Sequence, residues 1–90
     1  MKDAELRVIA TRADREVLAA MSTAGIAGTS RTEVKLDGDK LIVVTTATMT
    51  AGQGATYTEL SQALRRAAGG QEASITQDGK LRAIVRWKTA

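Results

Sequence analysis

No cysteine, histidine, proline or phenylalanine occurs among the 90 residues, and the aromatic content is one tyrosine and one tryptophan. Each absence narrows the chemistry. Without cysteine there are no disulfides, thiolate nucleophiles or cysteine-rich zinc sites. Without histidine the commonest acid/base group and the commonest metal ligand are gone. Any remaining catalysis would rest on Asp, Glu, Lys, Ser, Thr or Tyr converging in a pocket, which a domain this small rarely encloses. The chain therefore reads as a binding protein rather than an enzyme, with no cofactor. Long apolar runs are missing too. The N-terminus has no signal-type apolar core, and nowhere do eighteen apolar residues follow one another, which points to a cytoplasmic protein that makes no membrane contact.

What is present suffices for folding. With 43% hydrophobic and 26% charged residues, the chain can bury enough apolar area to offset its ordering entropy, and its length suits one small α+β domain over residues 1–90. The formal net charge of +3 is unevenly placed. Residues 1–64 hold seven basic and eight acidic side chains. Residues 65–90 hold six basic ones (Arg65, Arg66, Lys80, Arg82, Arg86, Lys88) against Glu72 and Asp78.

Glu5 to Thr11 alternates, with Leu6, Val8 and Ala10 on one side and Ile9 as an apolar intruder on the other, which predicts a strand. Thr11 and Asp14 then form a capping-box pattern opening a helix over about 12–24, which Gly25 ends with Ile26 as its hydrophobic contact. Residues 27–31 read as a loop. Thr32 to Asp37 alternates as a strand with Val34 and Leu36 inward, and Asp37-Gly38-Asp39 turns it into a hairpin whose second strand, 40–49, is apolar on both faces. Thr56 and Glu59 open a second helix with a full capping box, and Gly69-Gly70 close it. A short strand from Glu72 to Gln77, an Asp78-Gly79 turn and a clean alternation from Lys80 to Lys88 complete the chain.

The predicted order is thus β-α-β-β-α-β-β. It implies a two-layer sandwich, with two helices on one face of a mainly antiparallel sheet of about five strands. Its first six elements follow the ferredoxin-like plan, which carries no function by itself. An internal echo, Val34 to Val44 against Ile75 to Val85, further suggests two helix-hairpin units behind a leading strand.

Two surfaces carry functional expectations. If the helices cover one sheet face, Ile9, Ile42, Val44 and Ile84 are left on the other, flanked by Arg82, Arg86 and Lys88. A monomer has little use for such a face, so it reads as an interface for a protein partner or for a twin in a homodimer. An adaptor, an inhibitor of the kind mobile elements or phages encode, or an assembly subunit would all fit. The second reading is nucleic acid. Lys80, Arg82, Arg86 and Lys88 project from one strand face whose successive members stand roughly 7 Å apart, a spacing suited to phosphates, and Arg65 and Arg66 add to the field. Against it, Tyr57 and Trp87 sit on apolar stripes and leave no aromatic platform for bases. The Gly52-Gln53-Gly54 segment lies where an anion can meet a helix N-terminus, though its plainer reading is a mobile connection. Asp37 and Asp39 are too few for a metal and serve the turn.

Overall fold

In the computed structural model, which describes residues 2–69 and 72–88, the order is α1 (Asp3–Thr23), β1 (Gly28–Asp37), β2 (Lys40–Met49), α2 (Tyr57–Ala68), β3 (Ala73–Asp78) and β4 (Arg82–Trp87). The strands form one antiparallel sheet in the order β1-β2-β4-β3. The α+β class and the packing of helices on a sheet agree with the sequence. The leading strand does not: the described residues form four strands, in α-β-β-α-β-β order, and the ferredoxin-like plan is set aside.

The difference lies in residues 5–11, which belong to α1. Leu6, Ile9, Ala10, Ala13, Val17, Ala20 and Met21 form one continuous stripe at helical spacing, and Ala13, Val17 and Met21 are buried. Alternation over seven residues imitated a strand, but Val8 is 59% exposed and is the residue that breaks the stripe. The Thr11 capping pattern is likewise overturned, because Thr11 and Asp14 lie inside the helix.

Helix ends follow local chemistry. Gly25 has φ 73°, Ile26 N–H donates to the Met21 carbonyl and Gly25 N–H to that of Ser22, which together make a Schellman stop. Ile26 then joins the core. At α2, the Thr56 hydroxyl accepts from Glu59 N–H while the Glu59 carboxylate accepts from Thr56 N–H. Thr56→Ala removes the hydroxyl that accepts from Glu59 N–H while leaving the Thr56 N–H bond to the Glu59 carboxylate in place, and is expected to lower stability by about 1 kcal/mol, readable as a drop in urea midpoint with unchanged slope. Gly69 ends α2 as predicted; Gly70 lies outside the described residues.

The architecture is two α-β-β units placed back to back, with β2 and β4 at the centre. The pairs Thr45–Val85 and Thr46–Ile84 sit at the middle of that seam. The units differ in two ways. The first has a 21-residue helix and ten-residue strands, the second a 12-residue helix and six-residue strands. The first hairpin pairs Asp37 with Lys40, while the second pairs Asp78 with Arg82 and leaves Gly79, Lys80 and Leu81 in its loop. That extra residue puts Ile84 on the same sheet face as Ile42, which straight alignment of the echo would not.

The core lies between the layers. Val17 and Met21 from α1 and Leu60, Ala63 and Leu64 from α2 pack on Ala47, Met49, Ala83 and Val85 of the sheet. Within this apolar layer runs a polar chain. Trp87 Nε1 donates to Thr45 Oγ1 at 2.8 Å, Thr45 and Thr32 hydroxyls are 2.7 Å apart, and Thr32 and Ser30 hydroxyls both donate to Asp14 Oδ1 at 2.7 Å. Since the single Thr32 proton goes to Asp14, Thr45 must be the donor to Thr32. The chain ties α1 to β1, β2 and β4.

Candidate interaction surface

Pairing register fixes what the open face carries. The face turned to the helices holds Val43, Thr45, Ala47, Met49, Ala83 and Val85, all buried. Strand residues alternate, so the opposite face holds Ile42, Val44, Thr46 and Thr48 of β2, Ile84 between Arg82 and Arg86 of β4, and Arg31, Glu33 and Lys35 of β1. Ile42, Val44 and Ile84 are partly exposed. Val44 lies between Glu33 and Arg86, and Ile84 between Thr46 and Thr76, so the three aliphatics form one cluster at the centre of the sheet.

Charges of both signs ring this cluster. Along β1 they alternate, Arg31, Glu33, Lys35, Asp37. Arg82 is bridged by Asp78, its cross-strand partner, with Nε 3.5 Å from the carboxylate. Lys88 follows the end of β4 and is bridged by Glu72. Among the described residues Arg31, Lys35 and Arg86 form no ion pair.

Of the residues expected on this face, Ile42, Val44, Ile84, Arg82 and Arg86 are together, with Lys88 at the margin. Ile9 is not. It lies on α1 in the other layer, lining a notch of about 200 Å³ with Ala13, Val43 and Trp87 between Arg12 and Glu16. The nucleic-acid set is also divided. Arg65 and Arg66 are in the last turn of α2, in the helix layer, and Lys80 is in the β3–β4 loop rather than in a strand. No family model matches the sequence, and comparison with curated proteins and with solved structures gives no match. The face and its geometry therefore carry the functional reading by themselves.

Two features of the molecule were misjudged from sequence. The Gly52–Gly54 segment is a fastened loop rather than a mobile one. The Gln53 amide accepts from Ala27 N–H and donates to the Ala27 and Thr50 carbonyls, each at 2.7 Å, which anchors the loop to the start of β1. The residues 27–31 expected as a loop contain the first part of β1, from Gly28. The strand expected from Thr32 thus begins four residues earlier, which places Arg31 on the open face in line with Glu33 and Lys35.

Proposed function

We propose that this chain is a non-enzymatic interaction module that binds a protein partner through the open sheet face. The observation that carries the reading is the aliphatic cluster of Ile42, Val44 and Ile84, covered by neither helix and ringed by Arg31, Glu33, Lys35, Arg82 and Arg86. An apolar centre with a polar rim is the anatomy of a protein interface, in which the centre supplies affinity and the rim steers and selects. Adaptors, inhibitors and assembly subunits all work through such a face.

Binding to nucleic acid is the second reading, and the charge layout weighs against it. A phosphate backbone laid across this face would meet Glu33, Asp37, Glu72 and Asp78 among the cations. Two of the cations, Arg82 and Lys88, are already bridged by acids.

The two readings differ in salt response. Immobilised full-length chain is expected to retain a specific protein from cell extract at moderate salt, to lose it on Ile42→Asp or Ile84→Asp, and to keep it on Leu81→Asp, a control at an exposed loop residue off the face. Circular dichroism of the variants checks that they fold. Retention that ignores both face variants overturns the reading. Binding of generic DNA or RNA at low ionic strength, with a salt slope that falls when Arg86 is replaced, would establish the alternative instead.

A further inference from the structure

The sheet has two edges, and they are built differently. β3 is a six-residue edge. β1 is a ten-residue edge that pairs with β2 without interruption, Gly28 with Met49 through Asp37 with Lys40. Natural sheets protect such edges with prolines, bulges, short strands or inward-pointing charges. β1 has no proline, no break in its register and no charge among its helix-facing residues Ser30, Thr32, Val34 and Leu36; its charged side chains, which would deter a strand of unmatched charge, all lie on the solvent face. Alternate residues of a strand paired on one side turn their N–H and C=O groups outward. The β1 edge is therefore long, regular and open.

Its charges choose the occupant. On the solvent face β1 reads Arg31, Glu33, Lys35, Asp37, one sign after the other. A strand of that pattern is its own complement when reversed. The geometry points to antiparallel pairing of β1 with β1 of a second copy of this chain, about a two-fold axis at Val34, giving a continuous eight-stranded sheet. In that register Glu33 stands opposite Lys35 of the second copy and Arg31 opposite its Asp37, and each pair occurs twice because the contact is isologous. Neighbouring registers lose this. With Glu33 on the axis, Arg31 meets Lys35; with Lys35 on the axis, Glu33 meets Asp37. Like charges directly opposite are unfavourable and unlike ones favourable, so the pattern both attracts and sets the register.

The inner side agrees. Val34, partly exposed in the single chain, would meet Val34 of the second copy, and Leu36, 42% exposed, would meet its Thr32. The interface uses the edge and not the face of the sheet, so it stands apart from the partner-binding reading and leaves that face free on both copies.

Charge exchange tests the inference. The full chain is expected to sediment as a dimer at high micromolar concentration and low salt. Glu33→Lys and Lys35→Glu, at exposed positions, are each expected to weaken that dimer by about tenfold or more, because every Glu33 pair becomes a like-charge pair. Mixing the two variants is expected to restore a stoichiometric heterodimer, since Lys at 33 then faces Glu at 35, and melting curves of the separate variants check that both fold. A monomeric wild-type chain overturns the inference, as does a dimer that survives both single exchanges or a mixture that does not reassociate. Loss of the dimer on Ile42→Asp but not on the exchanges would mean association through the face, which also overturns the edge pairing while leaving the face reading intact.

Discussion

Thr45→Val is expected to cost about 2 kcal/mol although it preserves side-chain shape, and to lower the melting temperature by roughly 8 to 16 °C. Thr45 is 0% exposed and is the middle of the polar chain from Trp87 to Asp14. Valine fills the same space, so the packing of the layer is retained and the loss is polar. The Trp87 indole N–H is left without its acceptor, and Thr32 without its donor, beneath α1. Trp87 is the only tryptophan, so its fluorescence reports the change directly. Trp87→Phe should be costly too, since it removes the indole donor and, with the smaller ring, part of the packed volume. The double variant distinguishes coupling from simple addition: if the chain works as a unit, Thr45→Val costs less when Trp87 is already Phe. A Thr45→Val protein that melts within a degree or two of wild type would mean that the hydroxyls merely occupy space.

That chain also shows where reading the sequence stops. Asp14 looked like a capping residue, and Thr32 and Thr45 looked like strand formers, because each assignment needs only nearby residues. Their actual partners come from three other elements, and no local spacing encodes a contact between layers. Signals that depend on two to four neighbours were legible: the Asp37-Gly38 hairpin, the Gly25 stop with Ile26 behind it, the Thr56–Glu59 box, and the inward Ala83 and Val85 of β4.

The first helix failed for a related reason. Leu6, Val8 and Ala10 fit period two, while Leu6, Ile9, Ala10 and Ala13 fit period 3.6, and a short window cannot choose. Extending the window to Met21 decides for the helix and moves Ile9 from the open face to the notch beside Trp87. The site was legible in part. Ile42, Val44 and Ile84 came from alternation within strands. The neutralising partners of Arg82 and Lys88 depend on register, which the loop of Gly79, Lys80 and Leu81 sets, and Arg31 lay in the part of β1 that small polar residues made look like a loop.

The start of that strand yields the other large effect. Gly28→Val is expected to destabilise the protein by about 3 kcal/mol, lowering the melting temperature by roughly 12 to 24 °C. A Cβ at Gly28 would stand 2.3 Å from the Thr48 carbonyl oxygen and 2.6 Å from Met21 Cε. The methionine end is flexible and can move; the carbonyl cannot. It belongs to β2, directly beside the pairs Gly28–Met49 and Thr29–Thr48, and displacing it opens the hairpin. Everything near this point is tightly joined: Ile26 closes α1 on Met21, Thr50 N–H donates to the Ala27 carbonyl, and Gln53 holds the same segment from the other side. The strand therefore has no slack with which to shift outward. Gly28→Ala carries the same Cβ and should show most of the loss, so the two substitutions should lie close together in stability. If alanine is tolerated and valine is not, bulk beyond Cβ is the cause. If both are tolerated, the close approach of α1, β1 and β2 at Gly28 does not exist in solution, and the fixed register that aligns the β1 charges loses its anchor.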